Sequence, residues 1–488
     1  MELFKLFING QFEPGAATFD SLNPATGQPW ATIAEARAEE VNRAVAAAHQ
    51  AFNAPEWRDM TASMRGKLLL RLADLVEQNA DELARLETLD TGKIIRETRA
   101  QIAYVADYYH YYAGLADKME GRVLSIDKAD TETWTRREPV GVVAAIVPWN
   151  SQLFLSAVKI GPALAAGCTL VVKAAESAPT PLLAFARLIA EAGFPAGVCN
   201  VITGFGESCG TVLTTHPDVA HIAFTGGPDT ARHIVRNSAE NLSKTTLELG
   251  GKSPFIVFDD ADLESAANAQ VAAIFAASGQ SCVAGSRLLV AESIKERFLA
   301  TLVARVERIV IGAPQEMATQ FGPLCTQQQK TRIQSLVARS LEQGARLLTG
   351  HYVIDRPGFY YPPTILDCSA APRAETVANE LFGPVLSVVS FRDEAEAIRL
   401  ANDTAYGLAA GVFTQNLARA HRVTKALRSG VVWINTYRMV SPLAPFGGYG
   451  LSGHGREGGM EAALEFTTTK TVWLRTSDEP IGDPFVMR

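Results

Sequence analysis

Between Arg65 and Lys93 the chain reads "RGKLLLRLADLVEQNADELARLETLDTGK", with apolar residues recurring every three or four positions. That spacing puts them on one face of a helix, and Gly92 supplies a stop. Residues 38–120 carry the same grain and are expected to form long helices, after a hairpin-like start in "LFINGQFEPG". From Val140 the pattern changes to short apolar runs separated by helical stretches. "VGVVAAIVPWN" reads as a strand, "AVKIGPALAAG" as a helix and "TLVVKAAE" as a strand again. A helix near "PLLAFARLIAEAG" leads to the strand "VCNVITG", and another leads to "VAHIAFTGG". Such alternation predicts a parallel sheet built from βαβ units. After "GGKSP" a further series, "FIVFDD", "SRLLVAE", "PVLSVVSF", "LAAGVFT" and "VVWIN", predicts a second α/β unit around Cys282.

The most apolar region, Val140 to Lys173, is broken by Asn150, Ser151, Gln152 and Lys159. No membrane span is expected there, and "MELFKLFING" lacks the apolar core of a signal peptide. The 488 residues allow about three structural units. A net charge of −7 offers no basic field for nucleic acid or anionic membrane. The six cysteines show no CxxC pair and no His/Cys spacing of a metal site, so neither a disulfide framework nor a metal is expected. A cytoplasmic protein in a reducing compartment is the expectation.

Several short stretches carry candidate chemistry. Cys282, in "FAASGQSCVAGSR", sits among small residues. It reads either as a buried structural thiol or as a nucleophile, and the latter needs a lowered pKa or a nearby base. None of His216, His221 and His233 has a catalytic-looking context, which disfavours a histidine-based cysteine hydrolase. "GFGESCG" follows a predicted strand, and Gly206 suits a phosphate-approaching turn or an ordinary tight turn. Its spacing departs from G-x-G-x-x-G. Lys173 and Glu176 follow the strand "TLVV", where α/β sheets bind ligands. They can hold ribose hydroxyls or form a solvated charged loop. A carboxylate at Glu176 would repel a 2′-phosphate, favouring NAD over NADP. Asn150, in "VPWNSQ", can donate to an oxyanion or cap a turn. Glu248 in "TLELGGKSP" and Glu380 with Phe382 in "NELFGPV" stand beside glycines that permit close approach.

Taken in order, these stretches resemble the aldehyde dehydrogenase superfamily along nearly the whole chain. "NPATGQPWATI", "YYAGLADK", "PVGVVAAIVPWN", "GPALAAGCTLVVKAAESAP", "EAGFPAGVCNVITGFG", "IAFTGG", "TLELGGKSP", "GQSCVAGSR", "NELFGPV", "NDTAYGLAAGVFT" and "PFGGYGLSGHGREGG" carry the resemblance. It implies an α/β fold of three parts. These are a Rossmann-type dinucleotide-binding domain (1–120 and 141–250), a catalytic domain (251–466) and a small β oligomerisation element (121–140 and 467–488). Exposed edges in the last imply a homodimer or homotetramer.

The resemblance also implies oxidation of an aldehyde with NAD as cofactor, NADP being less favoured. Cys282 would attack the carbonyl carbon, with Asn150 and the Cys282 N–H holding the oxyanion. Glu248 would activate the water that hydrolyses the thioester, and Lys159 with Glu457 would relay protons to it. Trp149, Lys173, Glu176, Gly206, Phe224, Gly226, Gly227, Glu380 and Phe382 would hold the cofactor. Tyr104, Ser151, Phe154, Ser281, Val283, Arg438, Phe446 and the rest of "NTYRMVSPLAPF", including Tyr437, would surround the aldehyde. Two departures stand out: Gly227 where the family often has serine, and Ser281 and Val283 beside the nucleophile. Arg438 suits a carboxylate on the substrate, so an aromatic aldehyde or a catabolic semialdehyde with a polar or acidic end is expected. Simple aliphatic aldehydes, transfer to CoA, a cofactor-independent thiol esterase and a non-catalytic binding protein are the rival readings.

Overall fold

The structure, a computed structural model, describes residues 1–486. The expected helices form at Ala38–Asn53, Ala62–Gln78, Ala80–Thr91 and Ile95–Leu115. Gly92 ends the third of them in a left-handed conformation at φ 78°, which glycine adopts without a Cβ clash. No helix of the described residues is long and apolar enough to cross a membrane.

Two large sheets organise the molecule. The first has eight strands, in the order Gly453–His454, Lys244–Glu248, Val219–Thr225, Val142–Ile146, Thr169–Ala174, Cys199–Thr203, Leu6–Ile8 and Gln11–Glu13. Its five central strands are parallel, and the outer ones pair antiparallel. Asn9 and Gly10, both at positive φ, turn the N-terminal hairpin, as expected of an Asn-Gly pair.

From Val142–Ile146 the chain adds two strands on one side, then crosses to add Val219–Thr225 on the other. The strand order therefore reverses between these neighbours. Ligands of open α/β sheets bind in the crevice at the carboxyl ends of strands flanking such a point. Leu249, Phe224, Ile146 and Val171 pack into an apolar cluster on one face of this sheet.

The second sheet has seven strands and is parallel except for Arg346–Thr349 at one edge. All five strand runs named from the sequence fall in it, at Pro254–Val257, Arg287–Ala291, Val385–Phe391, Ala409–Phe413 and Val431–Ile434. The antiparallel pair Thr131–Pro139 and Thr467–Arg475 runs in full register over nine residues, with Val123–Leu124 beside it. The last two residues of the expected 467–488 segment lie outside the described residues.

Three elements depart from the sequence reading. A small sheet of Glu2–Phe4, Gln28–Glu35 and Ala17–Asn23 was not anticipated. Gly206 opens a π-turn, Gly206–Gly210, before the short helix Thr211–Thr215. Gly453–His454 joins the first sheet through Leu247 and Glu248, so the 251–466 segment returns to that sheet.

Candidate active site

Strand register aligns the first wall. Lys173, Ile146, Phe224 and Leu247 are successive partners across four parallel strands. The residues just beyond them, Trp149 and Asn150, Gly226 and Gly227, and Glu248, therefore emerge on one edge. That edge lines a cavity of about 560 Å³ that also takes in Cys282, Glu380, Phe382 and Arg332. Trp149 and Phe382 meet edge to face, with ring centroids 5.3 Å apart. Glu380 accepts the Gly251 N–H at 3.0 Å. Any side chain at Gly250 would collide with that carboxylate, because a Cβ there would fall 2.0 Å from Oε2.

A second cavity of about 340 Å³ lies on the other side of Cys282. Tyr104, Ser151, Phe154, Ser281, Val283, Arg438 and Phe446 line it. Cys282 and Asn150 are common to both cavities. Cys282 thus stands where a cleft of mixed polarity meets a mainly apolar tunnel.

Cys282 is half-buried. Burial, then the carboxylates of Glu380 and Glu248, push its thiol up to about 12, while Arg438 pulls it down. The resting group is therefore a thiol, and a positive charge close by would favour the thiolate. The Cys282 N–H donates to no backbone carbonyl of the described residues, and Asn150 Nδ2 donates to the Gln280 carbonyl at 3.1 Å. Asn150 and Cys282 line the same two cavities, and both carry N–H donors of the kind an oxyanion hole uses.

Glu248 is buried, and neither carboxylate oxygen has a hydrogen-bond partner among the described residues. Burial, reinforced by Glu457, holds it well above the usual carboxylate range, against Lys159 and Arg456. Lys159, wholly buried, bonds Glu457 and donates to Thr225 Oγ1 at 2.5 Å. Thr225 is the cross-strand partner of Glu248. Glu457 exchanges backbone hydrogen bonds with Phe446 at 2.6 and 2.8 Å. Lys159 and Glu457 thus form one cluster against Glu248. Among the described residues, no histidine lines either cavity. His221 is buried against Phe466 and bonds Thr246, and burial drives its pKa to about 3.

Other expected residues are placed differently. Phe224 is a core residue packed beneath Gly226, where a Cβ would meet its ring at 2.4 Å, and it does not reach the cavity wall. Gly206 follows Cys199–Thr203, two strands from Val142–Ile146, and stays outside the 560 Å³ cavity. Lys173 and Glu176 also lie outside it, paired with each other at 3.4 Å farther along the same edge. Tyr437 sits under the tunnel, its hydroxyl donating to the Val283 carbonyl at 2.9 Å and its ring against Phe255 and Trp433. It supports the wall and does not form it.

The sequence reading missed Lys93, Glu97, Gln101 and Tyr108 on the tunnel wall. Glu97, Gln101, Tyr104 and Tyr108 recur at helical spacing on Ile95–Leu115. That spacing was the available signal.

Strain gathers at this site. Of the seven non-glycine residues at positive φ among the described ones, Ala277, Ser278, Phe382 and Arg438 belong to its loops. Such conformations persist only where surrounding structure over-determines them, and they cluster at functional sites.

The sequence profile described as "Aldehyde dehydrogenase family" matches residues 12–472. The chain belongs to the aldehyde dehydrogenase family. Membership makes it an oxidoreductase of aldehydes. It is 70% identical over its whole length, and over the whole of the relative, to (Z)-2-((N-methylformamido)methylene)-5-hydroxybutyrolactone dehydrogenase of Acinetobacter baylyi. Among solved structures, PnpE from Pseudomonas sp. WBC-3 superposes with a TM-score of 0.96 at 43% identity, covering 99% of this chain and 100% of that one. Betaine aldehyde dehydrogenase from Staphylococcus aureus, solved in complex with NAD+, gives a TM-score of 0.96 at 39% identity, covering 98% of this chain and 96% of that one. This aldehyde dehydrogenase therefore shares its architecture with an NAD+ complex end to end.

Proposed function

We propose that the protein oxidises a catabolic semialdehyde with an acidic or polar end to the carboxylic acid, using NAD. The observation that carries this reading is the meeting of two cavities at Cys282 and Asn150. The cavity at the strand-reversal point suits the nicotinamide side of a dinucleotide. Its glycines permit close backbone approach, Glu380 offers a carboxylate to ribose hydroxyls, and Trp149 and Phe382 offer flat walls. Trp149, Glu380 and Phe382 would hold NAD+ there, which would supply the hydride acceptor and a positive charge that favours the Cys282 thiolate. Lys173 and Glu176 extend the same edge, and the Glu176 carboxylate favours NAD over NADP.

Cys282 Sγ, once its proton has passed to solvent, attacks the aldehyde carbon as the thiolate, and Asn150 Nδ2 with the Cys282 N–H holds the oxyanion. Once the hydride has left, Cys282 carries a thioester. Glu248 takes a proton from the water that hydrolyses it, and the Glu457 carboxylate, held by the Lys159 ammonium, receives that proton in turn. Glu248 sets this reaction apart from transfer to CoA. We assign residues 1–120 and 141–250 to dinucleotide binding, 251–466 to catalysis, and 121–140 with 467–488 to assembly.

The substrate class rests on the tunnel and on the 70%-identical relative. A 5-hydroxybutyrolactone is the ring-closed form of a 4-oxobutanoate, an aldehyde with a carboxylate at its far end. Arg438 lines the tunnel and donates through Nη1 to the carbonyls of Ala272 at 3.1 Å and Ala276 at 3.5 Å. Its remaining donors have no hydrogen-bond partner among the described residues, and they suit a substrate carboxylate. The test is NADH formation over a panel of neutral, aromatic and acidic aldehydes, with NADP in parallel. Arg438→Ala is expected to raise KM about tenfold for acidic aldehydes, as loss of a charged hydrogen bond does. An equal rise for neutral aldehydes removes Arg438 from substrate recognition.

The Thr467–Arg475 strand leaves Trp473 and Leu474 exposed at one edge of its sheet, and Val123 is exposed at the other. An exposed apolar edge of this kind is paired in a stable protein, so we assign a homodimer or homotetramer. Light scattering should return two or four times 52.5 kDa; a monomer at micromolar concentration contradicts the assignment.

A further inference from the structure

The two donors of the proposed oxyanion hole belong to different sheets. Asn150 follows a strand of the first, whereas Cys282 lies in the loop before Arg287–Ala291 of the second. Something must fix their separation, because a donor misplaced by about 1 Å costs on the order of 100-fold in rate.

One short segment touches both. Lys93, 5% exposed, donates from Nζ to the Asn150 carbonyl at 3.2 Å and to Ser151 Oγ at 3.1 Å. The fully buried Glu87 at 2.8 Å and Gln101 hold the ammonium in place. Four residues on, both carboxylate oxygens of Glu97 accept the Ala277 N–H, at 3.0 and 3.1 Å. Ala277, Ser278 and Gly279 have φ of 51°, 53° and 74°. This is a left-handed turn three residues ahead of Cys282. The left-handed conformation costs roughly 1–2 kcal/mol for each non-glycine residue, so the turn relaxes unless it is clamped.

Its clamps are visible. Ser278 Oγ donates to the Gly322 carbonyl at 2.8 Å, and Gln280 Oε1 accepts the Cys325 N–H at 2.9 Å. Gly279 packs against Gly383, where a Cβ would fall 2.3 Å from the Gly383 carbonyl carbon. The Gln280 carbonyl in turn receives Asn150 Nδ2. Contacts therefore run in a closed ring from Lys93 to Asn150, to the Gln280 turn and back through Glu97. The segment is itself pinned to the second unit, since Ile95 N donates to the Pro314 carbonyl and Arg96 to the Thr319 carbonyl, both at 2.8 Å.

We infer that Lys93 and Glu97, at the start of the Ile95–Leu115 helix, act as positioning residues that latch the two donors of the oxyanion hole at a fixed separation. The inference rests on the roles proposed above for Asn150 and Cys282. Lys93 variants strand the buried Glu87 carboxylate and risk the fold, so Glu97 is the informative end. Glu97→Ala, Glu97→Gln and, as a reference, Asn150→Ala are compared for kcat, KM, NAD binding and thermal midpoint. Glu97→Ala should lower kcat about 10- to 100-fold, with aldehyde KM and NAD affinity changed less than about 3-fold and the midpoint retained. The glutamine oxygen still accepts the Ala277 N–H, so Glu97→Gln should recover most of the rate. An unchanged kcat in Glu97→Ala overturns the latch, as does a loss that follows NAD binding or unfolding and is not rescued by glutamine. A fully active Asn150→Ala refutes the proposed hole itself. An impaired Asn150→Ala beside a normal Glu97→Ala refutes the latch alone.

Discussion

Cys282→Ala is expected to lower kcat for NADH formation by about 10⁴-fold or more, the scale on which removing a covalent nucleophile acts. Three features of the structure give the expectation its size. Cys282 stands at the junction of the two cavities, and among the described residues no other cysteine lines either of them. The other five cysteines are buried, so no substitute thiol reaches the aldehyde. No histidine of the described residues is at hand to activate water directly. Alanine keeps the small volume that the loop requires, and NAD binding should remain within about 3-fold of wild type, since Trp149, Gly226, Gly227, Glu380, Phe382 and other residues supply most of the cofactor wall. Loss of NAD binding together with turnover would point to collapse of the site, and retained turnover would remove Cys282 from the reaction.

Glu248→Gln is expected to leave the first turnover intact and to slow the steady state by about 10²–10⁴-fold, as loss of a general base does. The assay is stopped-flow NADH absorbance. It should show a burst of one equivalent per active site, then a slow phase limited by thioester hydrolysis. Burial, with help from Glu457, keeps the Glu248 carboxyl well above the usual range. Its basic form is therefore scarce at low pH and gains population as pH rises through that elevated value. Wild-type kcat should rise with pH over the same window, and Glu248→Gln should lose that rise. A missing burst would contradict the assignment of Glu248 to hydrolysis.

The sequence patterns reached the fold where periodicity was strong. Val142–Ile146 and Thr169–Ala174 are fully buried apolar strands, and such runs between helices have few other readings. In Ala17–Asn23 the only buried residue is Ser21, while Leu22 is exposed, so its hydrophobic signal was faint. Cys282, Asn150 and Glu248 stood beside glycines and strand ends, which are local features. Phe224 was misplaced because a residue at a strand end can point to core or cleft, and only the three-dimensional register shows which. Glu97 and Lys93 act through contacts 180 and 57 residues away in sequence, a separation that no local pattern encodes.

The central claim is that Cys282 carries the acyl group which Glu248 releases, and the thioester itself tests it most directly. Glu248→Gln is mixed with NAD and a 4-oxobutanoate, quenched in acid after the burst and digested for peptide mass measurement. One acyl group per chain is expected on the peptide holding Cys282, in proportion to the NADH formed. NADH produced while that peptide stays unmodified would contradict the claim.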